Sequence, residues 1–315
     1  MVRDNLNLRW DPALLAFNKR RDMCNKIVVT HNGKFHADDV FSIAALQLVF
    51  SDLTLIRTRD AQQIASADIV VDVGHEYDAA RGRFDHHQRG GAGARDNGIP
   101  YSSFGLVWQE YGLRLCQDEQ AMVDAVDAQL VSVIDAIDCG YALKGESGVS
   151  LSKTISLFNP TWQEPGEFDA CFNEAVAFAK RILVRFIAAV SGELHAEQQV
   201  QEAIQQAEDP QLIILEQYIP WQKTVHCAAP HVLYVVYPSA TGNQWMIQAV
   251  PSEPGAFTER KPLPASWAGL DGAALQQLTG VSDAVFCHNG LFIAGAVSFS
   301  GILQLAALAL QMPSN

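Results

Sequence analysis

Apolar residues fall into two rhythms along the chain. In the first third, short runs at Lys26–Thr30, Leu53–Arg57 and Ile69–Val73 read as buried strands. Between the first two runs, Asp39–Phe50 is apolar at Val40, Phe41, Ile43, Ala44, Leu46, Leu48 and Val49, a pattern that predicts a mostly buried helix. Such strand–helix–strand alternation implies a parallel sheet with right-handed crossovers. Helices are expected next at Tyr101–Leu115, capped by Ser102 or Ser103, and at Glu119–Cys139. From Phe168 to Ala207 apolar residues recur at spacings of three and four, so Asp169–Ala207 as one helix would span roughly 58 Å, with Gly192 as a candidate break. Beyond Glu208-Asp-Pro210 strands are expected at Leu212–Leu215, Val232–Tyr237, Trp245–Val250, Ala284–Cys287 and Leu291–Ala294. The last two flank Asn289-Gly290, a hairpin signal. A final helix starts at Ser300. The expected architecture is α/β in three parts. Residues 1–25 form an extension, 26–208 a parallel-sheet domain with a long helical connector, and 209–315 a smaller α/β domain with a mixed or antiparallel sheet.

Composition narrows the class. A hydrophobic content of 49% in 315 residues is ample for buried cores. The net charge of −13 argues against broad binding to long duplexes, which relies on neutralising phosphates, but leaves room for a short strand or nucleotide held by a few arginines and metal ions. Six cysteines at positions 24, 116, 139, 171, 227 and 287 form no Cys-x-x-Cys pair, so a disulfide framework or zinc knuckle is not expected and a reducing cytoplasm fits. Residues 1–25 lack an apolar core and cleavage site of the secretory type; Arg9, Lys19, Arg20 and Arg21 resemble a transit peptide only until Asp4, Asp11 and Asp22 are counted. No window reaches 18 uninterrupted apolar residues, so no membrane partner is expected. Association of identical chains is left open.

Candidate chemistry is concentrated between Thr30 and His87. That stretch holds His31, His36, Asp38, Asp39, Asp72, His75, Asp85, His86 and His87, and no thiol. Apolar strand followed by polar ligand-type residues is the order expected of a site at the carboxyl ends of parallel strands. Any one histidine is more often a surface or satisfied core residue. A buried strand that ends in Asp72, together with the tripeptide Asp85-His86-His87, is costly unless paired with something. Imidazole plus carboxylate without thiolate suits Mn²⁺, Co²⁺ or Mg²⁺ better than structural zinc.

The tripeptide Asp85-His86-His87, the strand ending in Asp72 and the opening His31-x4-His36-x-Asp38 resemble the DHH phosphoesterase superfamily, which includes RecJ-type exonucleases and family II pyrophosphatases. The closer resemblance is to its MYG-type branch, named for a melanocyte proliferation gene. There the opening motif reads Thr-His-Asn-Gly-x-Phe-His-x-Asp, as in Thr30 to Asp38. Arg57-Thr-Arg-Asp60, Val70-Val-Asp-Val-Gly74, Phe84-Asp-His-His-Gln-Arg89, Asp135-Ala-Ile-Asp-Cys-Gly140, Arg260-Lys-Pro-Leu-Pro264 and Trp267-Ala-Gly-Leu270 are similar to the branch as well. The resemblance runs from about Ile27 to Leu310.

It implies a DHH-type catalytic domain and two divalent ions, Mn²⁺ before Mg²⁺ or Co²⁺. One ion would be held by His31, His36 and Asp72, the other by Asp38, Asp72, His86 and Asp138. Asp135 is the supporting or alternative ligand to Asp138. His36 stands where the wider superfamily has an aspartate, which removes a negative charge and adds a softer ligand. His87 is expected to act on the phosphoryl group or leaving oxygen, with Asp85 orienting an imidazole. Arg89, in the Gly/Arg-rich loop after the tripeptide, and Arg260 and His288, in the C-terminal part, are expected to bind substrate. Where the family pattern has a basic residue after the C-terminal hairpin, this chain has Ala296-Val-Ser-Phe299. The implied activity is a phosphodiesterase, a 3′–5′ exonuclease on short single-stranded RNA, oligonucleotides or nucleotides. Its rivals are a small-molecule phosphohydrolase acting on pyrophosphate or a dinucleotide, and a non-catalytic metal-binding protein.

Overall fold

The computed structural model describes residues 22–141 and 149–312. The N-terminal extension up to residue 21 lies outside them. Two compact units divide the chain at Ser191/Gly192, earlier than the boundary expected near 208.

The first unit is built on a five-stranded sheet in the order β2-β1-β3-β5-β4, with strands β1 (Asp22–Thr30), β2 (Phe50–Arg57), β3 (Ile69–Val71), β4 (Tyr77–Asp78) and β5 (Arg83–Phe84). β1 runs parallel to β2 and β3, and β3 parallel to β5; only β4 is antiparallel. The expected parallel sheet is therefore present. Helix α1 (Ala37–Val49) carries the chain from β1 to β2, and every residue in it except Gln47 is buried, the polar Asp38, Asp39 and Ser42 included. β2 starts at Phe50 with no intervening loop. Helix α2 (Ala61–Ser66), capped by the Asp60 side chain on Gln62 N and Gln63 N, makes the crossover to β3. α3 (Ser103–Leu115) packs against α1.

The single helix expected at 119–139 is interrupted. It consists of α4 (Gln120–Val126), a π-helical turn (Asp127–Val131) in which Ser132 N–H reaches Asp127 O, and α5 (Ser132–Asp138). After α6 (Leu151–Ser156), α7 (Phe168–Gln206) is one continuous helix; Gly192 does not break it.

The second unit holds a sheet in the order β6-β7-β8-β10-β9, with β6 (Leu212–Ile214), β7 (Tyr234–Pro238), β8 (Trp245–Ala249), β9 (Ala284–Cys287) and β10 (Ile293–Ala296). Only β6 and β7 pair in parallel, so the sheet is mixed and largely antiparallel. Alternation along β7 sorts its side chains onto two layers. Tyr234 and Val236 join Leu275 of α9 (Gly272–Thr279) and Ile302 and Leu305 of α10 (Phe299–Gln311). Val235 and Tyr237 join Ala196 and Val200 of α7 and Val225 of α8 (Gln222–Ala228). No helix among the described residues is long and apolar enough to cross a membrane.

Candidate metal centre

At the end of β1 the chain leaves the sheet through His31-Asn-Gly33 and enters α1 at His36. Gly33 takes φ +83, a left-handed turn that glycine adopts without steric cost. Two side chains fix this loop. Asn159 accepts from Phe35 N (3.0 Å) and donates to Phe35 O (2.9 Å). Arg57, stacked over the Phe172 ring, donates to Gly33 O (2.8 Å) and pairs with Asp169 (2.7 Å). At the helix start Asp39 Oδ1 accepts from His36 N (3.0 Å), completing a reciprocal cap that sets Asp38 and Asp39 side by side in the first turn.

Asp72 follows directly on β3, and its φ of 56° is left-handed. That conformation costs about 1–2 kcal/mol for most residues and least for Asp and Asn. It gives the carboxylate three imidazole neighbours, His31, His86 and, 3.4 Å from Oδ1, His87 Nδ1. Asp72 Oδ2 lies 3.3 Å from His31 Nε2 and Oδ1 lies 3.3 Å from His86 Nε2, while Ser103 Oγ, at the start of α3, donates to Oδ1 (2.9 Å). α5 supplies Asp138, with Oδ2 3.3 Å from His86 Nε2 and Oδ1 3.8 Å from His36 Nδ1. Asp38 Oδ2 lies 3.8 Å from the same His86 nitrogen, and Asp39 Oδ2 3.2 Å from His31 Nε2.

His31, His36, Asp38, Asp39, Asp72, His86, His87 and Asp138 thus form one continuous cluster. It contains three-residue sets whose ligand atoms lie within 4.8 Å of one another: His31/Asp39/Asp72, His36/Asp38/Asp138 and Asp72/His86/His87. The sets differ from those implied by the resemblance. His36 stands with Asp38 rather than with His31, and Asp39, assigned no ligand role from the sequence, stands with His31. Cys139 also enters, its Sγ 3.8 Å from His86 Nδ1.

Divalent cations fit this donor set. Both oxygens of Asp38, Oδ2 of Asp39 and Nε2 of His86 are buried without a hydrogen-bond partner. Carboxylates buried in that state are costly unless a cation compensates them. The pattern of ionisation agrees. Burial and the nearby Asp72, Asp138 and Asp39 push the Asp38 carboxyl well above the usual range. Burial also raises Asp39, against the opposing pull of His31. Asp72 behaves oppositely: burial works to raise it, but His31 and His86 outweigh burial and hold it low. Burial works to lower His31 and His86, but Asp39 and Asp72 raise the first and Asp72, Cys139 and Asp138 the second, each to about 10.

His87 sits at the mouth, its side chain half exposed. Asp85, fully buried, takes three bonds: from His75 N (2.6 Å), from His87 N (3.1 Å) and on His87 Nδ1 (2.8 Å). A carboxylate accepts at Nδ1, so the Nδ1 proton is fixed and Nε2 is left to face outward.

Comparison with known proteins decides the lineage. The family described as "Uncharacterised protein family (UPF0160)", MYG1_exonuc, matches residues 27–310. The chain belongs to this family. The MYG1 exonuclease of Homo sapiens is 34% identical over 322 residues, covering 90% of this chain and 86% of the human protein. The MYG1 protein C694.04c of Schizosaccharomyces pombe is 32% identical over 325 residues, covering 91% and 98%. Among solved structures, a pGpG-specific phosphodiesterase, PggH, aligns over 91% of this chain and 98% of its own at 14% identity and a TM-score of 0.30, a likeness too distant to bear on fold or chemistry.

Other residues singled out from the MYG1-type motifs have different surroundings. Asp135 is not in the cluster. Although only three residues before Asp138, it is fully buried beneath the start of α3, accepting from Ser102 Oγ and Gly105 N (3.0 Å) and pairing with Arg95 (2.8 Å). Burial raises its carboxyl to about 6 despite Arg95 and Ser102. Arg95 also binds Asp127 through two bonds and stacks on Tyr101, so this arginine is a structural tie of the Gly/Arg-rich loop. Arg89 is exposed. In the second unit Arg260 donates to Ala229 O (2.8 Å) and Val232 O (2.9 Å) and approaches His226 Nδ1 (3.2 Å). His288 Nδ1 accepts from Gly290 N (2.9 Å) and its ring packs on Phe292.

Proposed function

We propose that this chain is a divalent-metal-dependent phosphodiesterase that acts as a 3′–5′ exonuclease on short single-stranded RNA or oligonucleotides. The observation that carries the reading is the cluster of buried carboxylate oxygens without partners at Asp38 and Asp39, interleaved with the imidazoles of His31 and His86. Membership of a family whose curated mammalian members are called MYG1 exonuclease supports the substrate class. The residues that would hold two ions, Mn²⁺ first among them, are His31, His36, Asp38, Asp39, Asp72, His86 and Asp138, with Asp72 shared. Such ions supply positive charge to the phosphoryl oxygens and acidify water for in-line attack.

The chain's own groups do the rest. Asp85 keeps the His87 ring oriented with Nδ1 inward and would stabilise the imidazolium form, from which Nε2 can donate a proton to the leaving oxygen and return to the neutral ring. Ser103 and the left-handed backbone of Asp72 hold the shared carboxylate in place. Arg89 extends from the loop after the tripeptide to meet a phosphate.

The test is a length ladder of end-labelled RNA and DNA, with pyrophosphate and a dinucleotide alongside, in Mn²⁺, Mg²⁺ or Co²⁺. Stepwise shortening from the 3′ end is expected, and His87→Ala should cut turnover about 10²–10⁴-fold without changing metal content. Hydrolysis of pyrophosphate alone, or no turnover with any metal, would remove the reading.

A further inference from the structure

We propose that Trp162 is a stacking platform for a nucleobase of the substrate, set at the rim of the candidate metal centre; the proposal takes the substrate's identity from the phosphodiester reading above. Trp162 is 92% exposed, an unusual state for the largest apolar side chain. It does not hang on a loose loop. Thr161 N donates to the Glu164 carboxylate (2.6 Å) and Glu164 N to Thr161 O (3.1 Å), closing a tight turn with Trp162 at its first inner position and Pro160 and Pro165 on either side.

The segment carrying this turn is fastened at both ends to the loop that leads into the cluster. Asn159 is bonded to both backbone groups of Phe35, the residue before His36. Asp169 holds Arg57, and Arg57 holds Gly33 O. Phe172, just beyond, packs edge-on against Phe35 (5.3 Å). Three residues of chain reach at most about 10 Å, so Trp162 stands within that span of Asn159. His36, at the other side of the Phe35 anchor, has a side chain 57% exposed. The bare indole is thus carried on a segment anchored beside the residue that leads into the cluster.

Chemistry selects the ligand. A chain of net charge −13 has few cations to spare for neutralising phosphates along a strand. Stacking of a base on an aromatic ring needs no cation and tolerates any base, because every base has a π face. A flat ring beside the centre thus favours substrates that carry bases over pyrophosphate.

The experiment is a binding cycle by fluorescence anisotropy on the full-length, metal-loaded chain, with oligomers whose linkages resist hydrolysis so that nothing is cleaved. The probes are a short single-stranded oligoribonucleotide and the same oligomer with abasic sites. Trp162→Ala should weaken binding of the normal oligomer about tenfold or more, and Trp162→Phe should restore it to within about threefold. The abasic oligomer should bind wild type and Trp162→Ala alike, and metal content and melting temperature should not move. Equal binding of the normal oligomer by wild type and Trp162→Ala overturns the proposal, as does equal loss for both oligomers or no binding by the wild type. A change in oligomeric state on Trp162→Ala without loss of oligomer binding also overturns it, and assigns the ring to a protein contact. Loss of stacking with hydrolysis intact refutes only the platform. A Trp162-dependent affinity in a protein that hydrolyses no phosphodiester refutes only the enzymatic reading.

Discussion

Each unit rests on a five-stranded sheet, but the two treat charge in opposite ways. The first unit buries Asp38, Asp39, Asp72, Asp85 and Asp135; among the described residues of the second, Thr224 is the only buried polar side chain. Cations of the second unit are spent on backbone carbonyls, Arg260 on Ala229 and Val232, and Lys261 on Leu310. Connectivity accounts for the contrast. In a parallel sheet several strands end on the same side, so β1 and β3 deliver His31 and Asp72 to one place. A largely antiparallel sheet sends successive strand ends to opposite sides, and its layers are free to be apolar throughout. Buried charge in the first unit gathers at the candidate metal centre, with Asp85 beside it and Asp135 tied to Arg95, and charge in the second is cross-bracing.

Removing the shared carboxylate should break that contrast most severely. Asp72→Ala is expected to lower phosphodiester turnover by at least about a thousandfold, since ion-mediated charge stabilisation is worth several kcal/mol, and to do so more completely than His36→Ala. Asp72→Asn, which tolerates the left-handed backbone, should do nearly as much while keeping the fold; steady-state rates and elemental analysis of both variants provide the check. Near-normal turnover in a folded Asp72→Ala protein would contradict the shared-ligand assignment.

Asp135 and Asp138 should part company. Asp135→Ala leaves Arg95 with Asp127 alone and takes the acceptor from Ser102 Oγ and Gly105 N, so it is expected to destabilise the metal-free protein by about 1–3 kcal/mol, with metal content retained. Asp138→Ala should lose metal with little loss of stability. Denaturant titration and metal analysis of the pair separate the roles.

Metal affinity should rise with pH. Burial works to lower His31 and His86, yet their carboxylate neighbours raise both to about 10, so both rings are protonated in the metal-free protein near neutral pH. An ion needs their lone pairs and must displace protons, so affinity should increase about tenfold per pH unit for each proton released, up to those values. Calorimetry in buffers of different ionisation enthalpy reads the count directly; zero release would contradict it.

The smallest expected effect is in the second unit. Arg260→Ala should cost roughly 1–3 kcal/mol of stability from lost charged hydrogen bonds and leave metal content unchanged. A ten- to hundredfold loss of substrate affinity with unaltered stability would instead return Arg260 to the substrate-binding role expected from the sequence.

Much of this arrangement is legible in the sequence because it is periodic or local. The β-branched runs mark β1 and β3, and the motifs from Thr30 to Asp38 and Asp85 to His87 mark what the strands deliver. What stays hidden is settled by partners distant in the chain. Asp135 and Asp138 are one helical turn apart and look equivalent until Ser102, Gly105 and Arg95 claim the first. Asp39 reads as the start of a helix; in the fold it caps the His36 N–H, and its second oxygen turns to His31 only once β1 and α1 are packed. The close approach of Asn159 to Phe35 spans 124 residues and has no local signal.

The π-helical turn at Asp127–Val131 gives this helix a phase. Such a turn holds one residue more than an α-turn, so every later side chain is set back by about 100° from where an unbroken α-helix of the same residues would put it. With that offset Asp135 meets Ser102 and Arg95, and Asp138 meets His36 and His86. Rewinding 127–131 as regular α-helix without removing a residue would aim both carboxylates past their partners, whereas removing one residue would give a regular helix in the same register. For a chain of this length, the irregular helix is the one in register with the histidines.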